Sequence, residues 1–331
     1  MPLHPHAVRR RQVVVGGLTA FALRAGADEP EAPARWPDQP VRVVSPVAPG
    51  TGLDDLLRRA AQWLGERLHR PVVVETRQGA NTSLAAAHVA AARPDGTTLL
   101  YAPSSTMVLN PFLYKALPYR PLEDFAPVAK LVDIPVVLVV APEAPWHSVA
   151  ELVAAARQQP HRLNFGYTSN GYRAMGAALA RATGMDVVQV PYRSMANLMP
   201  DLKTGRIDYI MLESSTATGL VQSGQLRGLA VLGAERLAVL PQVPTLREGG
   251  VPVPPLDSWV ALFAPARTPH ELVEQLSSLV LAFMHGPQAT EFTRLRGLVP
   301  AAQGPQELQR TMVADQARWR DLVERAGIER E

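Results

Sequence analysis

The segment from Val41 to Leu68 constrains this chain most, because it commits one strand, one turn and one helix in that order. Val41-Arg42-Val43-Val44-Ser45 is a β-branched run suited to a buried strand. Pro49-Gly50-Thr51-Gly52 follows as a turn in which glycine lets the backbone approach a ligand closely. Leu53, Leu56, Leu57, Ala60, Leu64 and Leu68 then recur at three- and four-residue spacing, which predicts a helix with one apolar face. A helix starting at the carboxyl end of a strand presents free N–H groups and a partial positive charge, so this turn is a candidate anion site.

The same alternation continues. Strands are predicted at Val72–Glu75 and Thr97–Tyr101, with a helix over Thr82–Ala92 between them and a loop at Ser104-Ser105-Thr106 after them. A second series starts at Val136–Val140, a continuous apolar run suited to a sheet interior. Ser148-Val149-Ala150-Glu151 has capping-box spacing and opens a helix to Gln158. Strands at 164–166, 187–190, 208–212 and 229–232 alternate with helices at 172–183, 195–204 and after Thr216. A strand over 256–264 precedes a helix opened by Thr268 as cap, and a long amphipathic helix from Pro305 to Ala326 stops at Gly327. Short β–α–β units of this kind give an α/β fold, with sheets flanked by helices on both faces.

The formal charge of +3 does not mark a nucleic-acid surface. Arg9, Arg10, Arg11 and Arg24 stand in residues 1–27 without any acid, so the leader holds more than the whole excess. The three arginines form a basic n-region, Val13–Leu23 a short apolar h-region, and Ala25-Gly26-Ala27 an A-x-A cleavage site. Residues 1–27 are therefore expected to be a cleavable signal peptide, read by the Sec or the twin-arginine route, with residues 28–35 as a flexible lead-in and a destination outside the cytoplasm. The chain has no cysteine, which excludes thiolate metal sites, disulfides and cysteine nucleophiles.

Catalytic chemistry finds little support. None of the eight histidines stands in an H-E-x-x-H or similar ligand pair. Gly166-Tyr167-Thr168-Ser169-Asn170-Gly171 is not G-x-S-x-G, because Ser169 lies three residues after Gly166. Gly50 and Gly52 lack the third glycine of a dinucleotide fingerprint, and the adjacent acids Asp54 and Asp55 complement the dipole of a first helical turn. No catalytic residue, metal ligand or cofactor is expected.

Seven segments in order resemble the solute receptors of tripartite tricarboxylate transporters, the Bug-type receptors. They are Pro46-Val47-Ala48-Pro49-Gly50-Thr51-Gly52-Leu53-Asp54, Leu109-Asn110-Pro111-Phe112-Leu113-Tyr114, Asn164-Phe165-Gly166, Val190-Pro191-Tyr192-Arg193, Gly205-Arg206-Ile207-Asp208, and the stretches 226–231 and 240–245. The resemblance covers residues 36–331. It implies a two-lobed periplasmic binding protein fold, type II-like, with two parallel or mixed sheets and a ligand cleft between the lobes. Lobe one would comprise 36–134 and 257–331, and lobe two 135–256. Such a receptor closes on a small organic acid or acidic amino acid and delivers it to membrane permease subunits; a monomer with no nucleic-acid partner is expected. A sensor working with a membrane kinase, or an enzyme on the same fold, stands as the alternative.

The resemblance also selects site residues. Lobe one would supply Gly50, Thr51, Gly52 and Asp54, together with Asn81 and Ser104, Ser105 and Thr106. Lobe two would supply Tyr167, Ser169, Asn170 and Gly171, with Tyr192 and Arg193. Several positions depart from the family pattern. Thr51 replaces a usual glycine, Met175 a usual histidine, and Glu213 stands where an aspartate is common. A carboxylate at 213 repels an anionic ligand unless it orders a loop or receives an amino group.

Overall fold

The computed structural model describes residues 38–331 apart from positions 252, 254, 326 and 331. The expected leader over 1–27 and lead-in over 28–35 lie outside the described residues. The chain runs β1 (Val41–Ser45), α1 (Gly52–Leu68), β2 (Val72–Thr76), α2 (Ser83–Ala90) and β3 (Thr98–Pro103). A wide π-type turn, Ser105–Leu109, leads into α3 (Asn110–Leu113), and then comes β4 (Phe125–Ile134). Next are β5 (Val136–Val140), α4 (Val149–Gln158), β6 (Asn164–Tyr167), α5 (Asn170–Thr183) and β7 (Val188–Pro191). They are followed by α6 (Met195–Lys203), β8 (Tyr209–Glu213), α7 (Ser214–Gln222) and β9 (Arg227–Val231). The last elements are β10 (Ser258–Pro265), α8 (His270–His285), α9 (Pro287–Leu295), β11 (Val299–Gln303) and α10 (Pro305–Arg325).

These strands form two mixed sheets, of order β11-β4-β10-β3-β1-β2 and β7-β6-β8-β5-β9. In each, one half is parallel and one antiparallel: β2, β1 and β3 run together, as do β7, β6 and β8. β10 returns antiparallel between β3 and β4, and β5 lies antiparallel to both β8 and β9. The chain leaves the first sheet at Ile134, passes Pro135 and enters the second at Val136. It comes back at Ser258 after the segment in which Leu256 N–H donates to Leu232 O. The result is two lobes, each carrying one sheet.

Local chemistry accounts for most of the elements. All five residues of β5 are buried, as expected for an unbroken Val/Leu run in a sheet interior. The outer strand β7 is half exposed and ends in Pro191, a residue that an edge tolerates because it donates nothing to the ladder. Thr51, Ser148, Ser169 and Ser194 each accept a first-turn N–H at the start of α1, α4, α5 and α6. Gly176 is required by packing, since a Cβ there would sit 2.2 Å from the Phe165 ring.

The structure corrects two local expectations and adds three elements. Ser104-Ser105-Thr106 is not a loop; Ser105 and Thr106 begin the π-type turn, with Tyr119 Oη donating to Thr106 O at 2.7 Å. Thr268 does not cap α8: its buried hydroxyl has no hydrogen-bond partner among the described residues, and Pro269 occupies the cap position. The strand β4 is masked in the sequence because Pro127, Lys130 and Asp133 interrupt its apolar pattern. Lys130 is nonetheless buried and reaches Asp133 at 2.7 Å. α9 and β11 were likewise hidden, in a short polar helix and a strand whose first residues are exposed.

A single buried cluster runs through both lobes. It joins Val44, Leu100 and Phe263 of the first sheet to Leu138, Phe165 and Tyr209 of the second, with Leu308, Met312, Trp319 and Val323 of α10 between them. Trp259, at the second passage between sheets, is core: it is 2% exposed and its indole N–H donates to Asp315 Oδ2 at 2.7 Å.

Candidate ligand-binding cleft

A cavity of about 250 Å³ opens between the lobes, at the carboxyl ends of their parallel strands. The first lobe contributes Pro46, Val47, Ala48, Thr51 and Leu53 from the turn before α1, Thr82, and Pro103, Ser104, Ser105 and Leu109 after β3. The second lobe contributes Val136, Ser169, Gly171, Tyr172, Met175 and Glu213. Ile134, Ser258 and Trp319 line it near the passages between sheets.

Two helix N-termini face this space from opposite walls. At α1, Thr51 Oγ1 accepts Asp54 N–H at 3.3 Å, which leaves Gly52 and Leu53 N–H without an intrahelical acceptor. At α5, Ser169 Oγ accepts Tyr172 N–H at 3.4 Å and leaves Asn170 and Gly171 N–H in the same condition. Gly50 adopts a left-handed φ of +80°, and Asp54 Oδ2 accepts its N–H at 2.9 Å, closing the turn. Arg58 Nε donates to that oxygen at 2.9 Å. Burial works to raise the Asp54 carboxyl, but the bonds from Arg58 and Gly50 outweigh it and hold the group below the ordinary value. Gly52 marks where the lobes meet: a Cβ there would lie 2.9 Å from the Ser215 Cβ across the cleft.

A hydrogen-bonded frame stands beside the cavity. Ala80, Asn81 and Thr82 are three successive non-glycine residues with positive φ, a strained turn that surrounding structure must impose. Asn110 Nδ2 donates to Asn81 O at 2.9 Å, and the hydroxyls of Thr82 and Thr106 lie 2.6 Å apart. Tyr114 Oη then joins the lobes, accepting from Asn81 Nδ2 on its own side and from Asn170 Nδ2 across the cleft at 3.3 Å.

Of the residues selected from the sequence, Thr51, Ser104, Ser105, Ser169 and Gly171 line the cavity. Gly50, Gly52 and Asp54 shape the turn behind it, and Asn81, Thr106 and Asn170 belong to the frame. Tyr167, Tyr192 and Arg193 lie away from the lining. Tyr167 packs on Phe165, Tyr192 Oη donates to Asp201 Oδ2 at 2.7 Å, and Arg193 is exposed. Leu53, Thr82, Tyr172, Met175, Ser258 and Trp319 line the cavity without having been selected. For Tyr172 and Met175 a signal existed, since both fall three or six residues after the Ser169 cap, on the first turns of α5.

Among the described residues, Glu213 is the one Asp or Glu in the lining, and no Lys, Arg or His joins it there. Burial pushes its carboxyl up, opposed by the hydroxyls of Ser215 and Thr216, which donate to Oε1 at 3.1 and 3.3 Å. Burial and the neighbouring Glu213 charge together push the Tyr172 and Tyr101 phenols well above their ordinary value. Both therefore remain neutral hydroxyls. No group of three or more metal-ligating side chains occurs among the described residues, and no helix among them is long and apolar enough to cross a membrane.

Comparison with known proteins gives this geometry a family. The model of the "tripartite tricarboxylate transporter family receptor" matches residues 56–328. A UPF0065 protein from the TAR-I ttuE-ttuC' intergenic region of Agrobacterium vitis is 33% identical over 297 residues, covering 88% of this chain and 86% of that protein. The structure of Rpa4515 of R. palustris with adipate is 32% identical and superposes with a TM-score of 0.84 over 90% of this chain and 100% of that one. MatC of Rhodopseudomonas palustris with bound malate is 29% identical, with a TM-score of 0.79 over 87% of this chain and 99% of that one. The chain thus belongs to the tripartite tricarboxylate transporter receptor family, whose members are periplasmic solute-binding receptors and not enzymes.

Proposed function

We propose that this receptor captures a small carboxylate-bearing solute in the cavity between its lobes and hands it to the membrane permease subunits of a tripartite transporter. The observation that carries the reading is the pair of helix N-termini, one from each lobe, converging on one cavity. Free N–H groups and helix dipoles favour a carboxylate there without a buried ion pair. Adipate in Rpa4515 and malate in MatC supply the chemical class.

In this reading the lobes divide at 134/135 and 256/257, and closure brings Gly52 against Ser215 and Asn170 against Tyr114. Thr51, Ser104, Ser105, Ser169 and Gly171 contact the solute, while Gly50, Gly52, Asp54, Asn81, Thr106 and Asn170 position them. The protein acts as a monomer, exported by the leader over residues 1–27.

A thermal-shift screen of residues 28–331 against small mono-, di- and tricarboxylates and amino acids tests this. A ligand at a hundred times its Kd adds about 2.7 kcal/mol to the native state, a rise of roughly 5 °C for a chain of this size. A folded protein whose melting temperature no carboxylate moves would overturn the reading.

A further inference from the structure

We propose that Glu213 sets the solute specificity of this cleft, and that the solute is a zwitterionic α-amino acid with an apolar side chain. The inference rests on the cavity being the carboxylate site and goes on to say which carboxylate fits it.

Glu213 ends β8, immediately precedes α7 and lines the cavity on the side of the second lobe. Both of its hydrogen bonds from Ser215 and Thr216 fall on Oε1, and the groups acting on its charge are hydroxyls, not a cation. The cavity surrounding it is otherwise built of hydroxyls and apolar side chains. A carboxylate in such a place is disfavoured until a positive partner arrives. An α-carboxylate docked on the helix N-termini leaves Glu213 uncompensated, and a second carboxylate nearby worsens the repulsion. An ammonium group on the solute removes the conflict.

The spacing of the charges follows from the closure contact. Ser215, which donates to Glu213, has its Oγ 3.2 Å from where a Cβ on Gly52 would sit, at the first turn of α1. Tyr101, whose Oη donates to Leu53 O at 3.1 Å beside this contact, lies close enough to feel the charges of both Glu213 and Asp54. The N–H groups for a carboxylate and the Glu213 carboxylate therefore occupy the same end of the cavity. Ammonium and carboxylate on one carbon match that arrangement. From there the lining continues with Leu109, Ile134, Val136, Met175 and Trp319, which suits an apolar side chain.

Isothermal titration of residues 28–331 with matched triplets tests the assignment. One triplet is L-leucine, 4-methylpentanoate and isobutylmalonate; the other is L-phenylalanine, 3-phenylpropanoate and benzylmalonate. Each keeps the apolar body and replaces the ammonium by hydrogen or by a second carboxylate. Adipate and malate serve as reference carboxylates. In at least one triplet the amino acid should bind tenfold or more tighter than its des-amino partner, with the malonate weakest. Glu213→Gln should bring amino acid and des-amino acid to within about threefold of each other, and Glu213→Asp should retain the preference. If the Gln variant does not fold, the order in the unaltered protein and in the Asp variant decides. A des-amino acid or malonate binding as tightly as the amino acid overturns the assignment. So does binding of adipate or malate with none of the amino acids, although the carboxylate-receptor reading then survives. Failure of every compound to bind overturns the assignment, and the wider carboxylate screen then decides the receptor reading.

Discussion

The starts of α1 and α7 each place a carboxylate at a helix N-terminus beside the same cavity, and they use it in opposite ways. Asp54 points back into its own turn, where Gly50 N–H and Arg58 Nε converge on Oδ2. Glu213 leans on the hydroxyls of its turn through Oε1 alone, and it lines the cavity. Their shifts run in opposite directions for that reason: Asp54 is held down by its donors, and Glu213 is raised by burial. A carboxylate spent on its own loop fixes geometry, while one facing a cavity of hydroxyls and apolar side chains without a cation discriminates among solutes.

The largest expected effect tests the contact on which both turns depend. Gly52→Val would drive a side chain into Ser215, 2.9 Å from the position of its Cβ. Solute affinity should fall by about a hundredfold or more while far-UV circular dichroism stays native, since helix N1 tolerates valine at a few tenths of a kcal/mol. Unchanged affinity by titration calorimetry would mean that the lobes do not meet at this point in the bound state.

Asp54→Ala addresses the structural carboxylate directly. Loss of the Gly50 and Arg58 bonds should lower unfolding free energy by about 2 kcal/mol in urea titrations. Glu213→Gln, by contrast, should leave the ligand-free protein as stable as before or more so, because it removes a buried charge with no counter-ion. If the two variants lost equal stability, the division of roles between the turns would fail.

A third carboxylate sharpens the comparison through pH. Asp257 stands at the return passage between lobes and is pushed up to about 6, first by burial and then by the charge of Asp133, against Arg318 and Lys130. With the folded value above the unfolded one, its contribution is complete below about pH 4 and is lost as pH rises through 6. Asp54 has the opposite sign: its lowered value contributes stability above the unfolded pKa, and that is lost as pH falls through the folded pKa. Asp257→Asn should therefore gain on the unaltered protein between pH 4 and 6 by roughly 2 kcal/mol and hold that gain above pH 6. Denaturation curves at pH 4, 5, 6 and 7.5 read this out, and a gain confined to acid pH would contradict it.

The smallest effect is a control in the second lobe. Ser148 caps α4 by accepting Glu151 N–H at 3.2 Å, far from the cavity lining. Ser148→Ala should reduce stability by about 1 kcal/mol without altering solute affinity. A parallel fall in affinity would show that stability loss anywhere in that lobe is enough to weaken binding.

Much of the site's scaffold was legible residue by residue. Thr51 and Ser169 announce helix starts, the apolar spacing after Thr51 gives the face of α1, and Val136–Val140 gives an interior strand. The site's composition was less legible. Tyr192 and Arg193 follow a strand end as Ser169 does, yet Tyr192 turns to Asp201 and Arg193 to solvent. Asn81 and Asn170 look like ligand contacts in sequence, and Tyr114, from a third segment, draws both into the bond between lobes. Trp319 reads as one apolar position among several on a C-terminal helix, and only α10 lying across both lobes brings it to the cavity.

The sequence by itself determined the α/β alternation, the family and the two helix starts that a carboxylate would meet, because strand runs, caps and apolar spacing act within a few residues of one another. Only the tertiary structure decided that Glu213 faces the cavity without a cation, that Gly52 meets Ser215, and that β10 returns between β3 and β4. Those outcomes join residues far apart in the chain, and they are fixed by which surfaces two sheets and α10 can bury together, a property of the packed whole that no local pattern carries.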